Sequence, residues 1–375
     1  MNKQYWYNAQ LLRLIAAVCI VYIHLEGALT VVFGHVEWLN VLRTGTDTFF
    51  VLSGFLSCYI MGRTHRPPGE FLWGRIIRIM PVFWLFTLLA FFVINALMSA
   101  DNASTPSELL LSMFLVPYQG GPVLYPTWSL TLIMAFAGIV TLAYTISHRY
   151  GALIAALLTF TLAGIGEVLG RDTYAAHILL NPMICDFGFG ALLAIMFAQA
   201  TTAGIRKPSQ RYSLAGLGLL TLVTGVWLWS AAFTPEPELP RLFWGGLAGT
   251  LFVMSSLLFD LGGFSLRSRW LIRVTDLAFM VYLCHLFWNI GVDKASTMLP
   301  VSATIVLLVI TPVAVTVIAA FAYYLIEKPL TRQLIKLPPW MALNQSGTRD
   351  VEPADKPLPI IPVAPHAQAD DVQIV

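Results

Sequence analysis

The sequence predicts an all-α polytopic membrane protein with about ten transmembrane helices and both termini in the cytoplasm. Three observations predict it. The 375 residues are 57% hydrophobic and 11% charged, with a mean hydropathy of +0.74, whereas ordinary globular chains carry about 25% charged residues. Apolar stretches of about 20 residues recur along the chain, the length that crosses a bilayer as a helix. Basic residues concentrate in alternate connecting segments, as the positive-inside rule requires.

The ten expected spans lie near 9–28, 45–62, 80–99, 128–147, 151–169, 178–199, 212–231, 241–259, 274–292 and 301–325. Those at 45–62 and 241–259 are short and rich in Gly or Ser. One set of connections holds Arg63, Arg66, Arg75 and Arg78, then Arg149, then Arg206, Lys207 and Arg211, then Arg267, Arg269 and Arg273, and finally Lys328, Arg332 and Lys336. The opposite set offers Arg43, Arg171, Arg241 and Lys294. An even number of spans agrees with two cytoplasmic ends. A transmembrane domain over 1–336 is followed by 337–375, where seven prolines among mostly polar residues predict a disordered cytoplasmic tail. The connection at 100–127 contains LLLSMFLVP and YQGGPVLYPTW and is expected to cover the outer mouth of a cavity. No cleavable signal sequence is evident, and no internal repeat suggests paired inverted halves.

A net charge of +2 and the lack of a basic aromatic cluster argue against nucleic acid as a partner. Cys19, Cys58, Cys185 and Cys284 lie in apolar stretches without CxxC spacing and read as packing residues rather than disulfides or metal ligands. No metal site and no Gly-rich nucleotide loop is visible.

Ionisable groups within spans are costly and point to function. The first span, YNAQLLRLIAAVCIVYIHLEGA at 7–28, carries Arg13, His24 and Glu26. The step from Arg13 to His24 is about 16 Å of helical rise and about three turns, so both side chains lie near one face. Asp47 begins the second span within RTGTDTFFVLSGF at 43–55. It is placed either to orient His24 across a short loop or to cap its own helix N-terminus. Gly45, Ser53 and Gly54 permit close helix packing. Arg75 and Arg78, three apart before Pro81, either fix topology and bind lipid phosphate or clamp an anionic cytosolic ligand. Asp186 and His285 fall inside the sixth and ninth spans, where Asp186 is a candidate partner for a buried cation, and Asp276 and Glu327 at the cytoplasmic edge read as ion-pair partners for basic neighbours.

These segments resemble the acyltransferase 3 family of membrane O-acyltransferases, in its exopolysaccharide-modifying branch. Arg13 and His24 match its R-x10-H signature, GTDTFFVLSGF its GVDxFFxxSGF segment, and RIIRIMPVFW at 75–84 its RxxRIxPxYW segment. PTWSL at 126–130 is similar to its outer WSL motif, DLAFMVYLCH at 276–285 to its DASYSxYLxH motif, and LIEKPL at 325–330 to its closing FEKPL element. The six matches keep family order. The resemblance implies transfer of an acyl group, usually acetyl, from cytosolic acyl-CoA to a hydroxyl of a cell-surface polysaccharide or lipid-linked sugar precursor at the inner membrane. It implies His24 as the catalytic histidine supported by Asp47. Arg13, Arg75 and Arg78 then contact acyl-CoA, and Trp128, Ser129 and His285 face the acceptor. Acyl-CoA is a co-substrate and no metal is implied. One position departs from the pattern: Ile133 stands where the family carries a glutamate after WSL. The competing readings are a glycolipid transporter or flippase, which the ten spans and polar interior also suit, and a catalytically impaired member of the fold, which Ile133 suggests.

Overall fold

The computed structural model describes residues 5–64, 66–97, 103–203, 207–233 and 240–334, and all regular structure within them is helical. The tail at 337–375 lies outside the described residues, as do Asp101, Arg206 and Lys336. The main helices are α1 (Tyr7–Ile23), α2 (Glu26–Phe33), α3 (Asn40–Arg63), α4 (Pro68–Leu97), α5 (Pro106–Met113), α6 (Trp128–Ile146), α7 (Gly151–Leu169), α8 (Tyr174–Leu179) and α9 (Ile184–Ala203). They continue as α10 (Pro208–Ser230), α11 (Ala248–Gly262), α12 (Arg269–Asp276), α13 (Ala278–Ser296), α14 (Val301–Ala322) and α15 (Lys328–Leu334). Short π-helical turns at Leu242–Leu247 and Tyr323–Glu327 lead into α11 and α15.

Among the described residues, seven helices are long and apolar enough to cross a membrane, and two further bent pairs raise the number to nine. This makes the chain a multi-pass membrane protein by length and composition, with seven to nine candidate spans among the described residues beside the ten expected from the sequence. The difference has two physical sources. The first span does not run continuously over 9–28: α1 ends at Ile23 and α2 leaves at 73°. The ninth is likewise broken between α12 and α13 by 63°. The predicted second span is α3, a 24-residue helix that is not among the apolar spans. Fourteen of its residues are buried, and it packs against α1, α6, α7, α9 and α11. A helix wrapped by other helices needs no apolar face toward lipid.

Close approach around α3 depends on small residues. A Cβ at Gly54 would strike the Phe187 backbone of α9, and one at Gly190 would strike Val51 and Phe55 of α3. A Cβ at Gly45 would meet Cys19 and Ala16 of α1. Phe50, Phe136 and Phe187 stack in the resulting core with successive ring centroids 4.6 Å apart. A second core joins α1, α4, α6 and α13 through Val21, Phe83, Leu130 and Leu283. Ile133 on α6 packs against both. The outer faces of α10 and α14 expose Leu220, Val223 and Trp227, and Val309, Val313 and Phe321, as expected of surfaces that meet lipid chains. All four cysteines are free.

Candidate functional site

The break after Ile23 positions His24. The Leu25 amide turns back to the Tyr22 carbonyl at 3.0 Å, an i→i−3 bond, so the Val21 carbonyl loses its helical donor. Asn289 Nδ2 of α13 donates to that carbonyl at 2.9 Å. One turn further along α13, Asp293 Oδ1 accepts the Ala28 amide at 2.8 Å, at the N-terminus of α2, where the dipole favours an acid. Gly27 admits this approach, because a Cβ there would stand 3.0 Å from Asp293 Oδ1. His285, Asn289 and Asp293 are spaced by four and share one face of α13. In order, they address the His24 ring, the carbonyl released by the break and the amide that restarts the helix. Glu26 is exposed beside this elbow.

The His24 ring lies 5.4 Å, centroid to centroid, from His285 and 6.0 Å from Tyr125. His285 is fully buried. Its Nδ1 is 3.2 Å from the Val281 carbonyl, which can only accept, so Nδ1 carries the proton. Nε2 is left as a buried acceptor without a protein partner. Beside it, Tyr282 Oη donates to the Pro126 carbonyl at 2.6 Å and lies 3.0 Å from Ser129 Oγ, tying α13 to the start of α6. Ser129 is thus buried and engaged. Trp128 stands edge-on to Phe50 at 6.4 Å and also borders a hollow with Tyr118 and Tyr174.

Asp47 is engaged by Arg241. Arg241 Nη2 meets Asp47 Oδ2 at 3.2 Å, and the carboxylate is 1% exposed. The orienting pair expected from the sequence rests on the short connection between two chain segments, which α2 and its following turn occupy; the partner that the structure gives Asp47 is a guanidinium 194 positions along. Asp186, also 1% exposed, lies against Asp47. The π-helical turn supplies the room, since a Cβ at Gly245 would meet Asp47 and one at Gly246 would meet Asp186. Two buried carboxylates therefore face one guanidinium at the junction of α3, α9 and the turn before α11.

The three arginines expected to act together do converge. Arg13 and Arg75 each lie within electrostatic range of Arg78 and of one another. Arg13 stacks over Phe49 at 5.6 Å, and Arg75 stacks over Phe71 at 5.3 Å while donating to Ser57 Oγ at 2.9 Å. Arg78 pairs with Glu327 at 3.5 Å, and Asp276 faces both Arg13 and Arg78. Three fixed cations meet two acids, so the cluster keeps an excess of positive charge beside Tyr5 and Tyr323. Such a grouping suits a phosphorylated or otherwise anionic ligand. It lies toward the Arg13 end of α1, with His24 at the other. Among the described residues, no group of three or more His, Cys, Asp or Glu side chains is placed to hold a metal ion.

Asn289 and Asp293 escaped sequence reasoning, although their spacing from His285 was a usable signal. Asn289→Leu is expected to leave the Val21 carbonyl unpaired, at about 1–3 kcal/mol, and to let His24 drift. Activity that depends on His24 should fall about tenfold in kcat, with the KM for the anionic substrate held. Asp293→Asn, which keeps an acceptor for Ala28, should stay near the parent while Asp293→Leu does not. Steady-state kinetics on the three variants in membranes check this.

The family described as "Acyltransferase domain" matches residues 6–324. The exopolysaccharide production protein ExoZ of Rhizobium meliloti (strain 1021) is 26% identical over 304 residues, covering 77% of this chain and 89% of that protein. No solved structure matches significantly.

Proposed function

The chain belongs to the acyltransferase 3 family, and from that premise we propose that it transfers an acyl group, acetyl in the family's usual case, from cytosolic acyl-CoA to a hydroxyl of a cell-surface polysaccharide or its lipid-linked precursor. The carrying observation is the arrangement on α1: His24 at a helix break beside His285, and Arg13 about 16 Å of helical rise away within an arginine cluster. The similarity to an exopolysaccharide production protein supports a glycan acceptor. Arg13, Arg75 and Arg78 hold the phosphates of acyl-CoA at the cytoplasmic end of the inner-membrane bundle. His24, at the outer end, accepts the proton of the glycan hydroxyl as its oxygen bonds to the acyl carbon and the carbon–sulfur bond breaks, so that the thiolate of coenzyme A takes up a proton. Attack by His24 itself, with an acyl-histidine passed to the hydroxyl, balances equally and uses the same neighbours. His285 and Trp128 border the acceptor path, and Ser129 fixes its wall through Tyr282. Asp47, with Arg241, holds the scaffold around it.

Loss of the chain separates this reading from a glycolipid flippase. A transferase deletion leaves the amount of surface polysaccharide near normal and removes its alkali-labile acyl groups. A flippase deletion lowers the polysaccharide itself. Quantifying released acyl groups per sugar checks the expectation.

Ile133 favours a second reading, impaired catalysis. Its packing against both cores supports a different outcome. Ile133→Glu buries an unpaired carboxylate and is expected to destabilise the chain by about 2 kcal/mol or more without raising transfer. An active variant from an inactive parent is the result that supports impairment.

A further inference from the structure

A hollow of about 570 Å³ lies between the loop after α5 and the segment leading into α8, within the range of about 300–1,000 Å³ typical of small-molecule sites. Its walls include Tyr118, Gln119, Arg171, Asp172, Tyr174 and His177. None of these belongs to the histidine pair or the arginine cluster. The walls are built. Thr105 and Glu108 close a reciprocal cap that starts α5, and Trp84 Nε1 anchors its end through the Met113 carbonyl at 2.7 Å. Ser112 Oγ accepts the Val123 amide at 3.0 Å and lies 3.2 Å from Tyr118 Oη, pinning the loop across its base. Gly120 and Gly121 take positive φ of 115° and 80°, and a Cβ at Gly121 would stand 3.3 Å from Tyr174 Oη. The glycine turn thus brings the loop backbone onto the second tyrosine. Across the hollow, Thr173 caps α8 through the Ala176 amide at 3.2 Å.

The hollow's Tyr174 neighbours Tyr125, the ring beside His24. Tyr125 stands beside the His24 ring at 6.0 Å. Tyr125 and Tyr118 are both within electrostatic range of Tyr174. Tyr125 therefore adjoins both the hollow's Tyr174 and the His24 ring. The lining chemistry selects the ligand class. Two tyrosines offer broad apolar rings with polar tips, while Gln119, Asp172 and His177 offer exposed planar groups of both hydrogen-bonding senses. Burial holds the Tyr118 phenol above its ordinary range, opposed by its hydrogen bond to Ser112, so it remains a neutral donor and acceptor. Arg171 is already engaged by Glu167, which leaves no positive excess to favour a phosphate or a lipid headgroup. Apolar faces with hydroxyl rims are the signature of a pyranose.

We propose that this hollow is a carbohydrate subsite, which binds a sugar of the acceptor chain next to the residue whose hydroxyl is presented to His24. The proposal rests on the acyl-transfer reading for its purpose but not for its test. The probe is surface polysaccharide from the producing cells, deacylated with mild alkali, and binding is measured by saturation-transfer NMR on the full chain in nanodiscs. The His24→Ala background is used so that turnover plays no part. Tyr174→Ala and Tyr118→Ala are each expected to weaken binding about tenfold, and Asp172→Ala by a smaller factor. In the parent background, Tyr174→Ala should lower kcat/KM for the polysaccharide about tenfold, chiefly through KM. Undiminished binding in both tyrosine variants, or no binding by the His24→Ala chain, overturns the subsite. Binding that the tyrosine variants abolish, in a chain that transfers no acyl group, leaves the subsite standing and fails the acyl-transfer reading instead.

Discussion

His24→Ala is expected to lower acyl transfer by about a thousandfold, within the range that a positioned general base or nucleophile contributes. The loss should fall on kcat, because the arginine cluster at the other end of α1, the proposed acyl-CoA site, is untouched. The fold should also survive. Asn289 and Asp293 hold the break through the backbone of Val21 and Ala28, not through the imidazole. Thermal unfolding close to that of the parent, together with lost transfer, distinguishes a catalytic role from a structural one. His24→Ala with transfer within threefold of the parent sinks the role assigned to this residue.

Arg241→Met is expected to have the largest effect on stability. It removes the guanidinium that pairs with Asp47 beside Asp186 and leaves two adjoining acids, each 1% exposed, without a cation. Breaking a buried ion pair costs about 3–5 kcal/mol, and the partial exposure of Arg241 places the loss near the lower end. The unfolding midpoint in detergent should drop by several degrees. Asp186→Asn in the Arg241→Met background should restore part of the loss, because it leaves one buried acid at the site in place of two. An Arg241→Met chain as stable as the parent, or a double variant worse than either single change, contradicts this charge arrangement.

Much of this architecture was legible in the sequence because its causes are local. Apolar runs long enough to span a bilayer locate α4, α6, α7, α9, α10, α11 and α14. The spacing of Arg75 and Arg78 puts both on one face of α4, and the structure gathers them with Arg13. Glu327 meets Arg78, as its place at a basic edge suggested. The remainder depends on contacts between distant segments. The Asp47–Arg241 pair joins residues 194 positions apart, and no period or motif in either segment announces it. The break at His24 is stabilised from α13, so the first span reads as continuous until Asn289 and Asp293 are placed beside it. Hydropathy could not establish how α3 relates to lipid, because burial by neighbouring helices replaces the apolar surface that a lipid-facing span requires. Trp128 is apolar in sequence and ambiguous in role for a related reason. One edge packs on Phe50 while its other surroundings border the outer hollow.

The central claim is that acyl groups leave a donor held at the arginine end of α1 and reach the glycan through His24. Sealed inside-out membrane vesicles carrying the chain and its acceptor test it directly, with radiolabelled acetyl-CoA supplied only to the exposed cytoplasmic face. Label should accumulate on the polysaccharide with the parent chain and fall to background with His24→Ala. Equal labelling by the two chains contradicts the account.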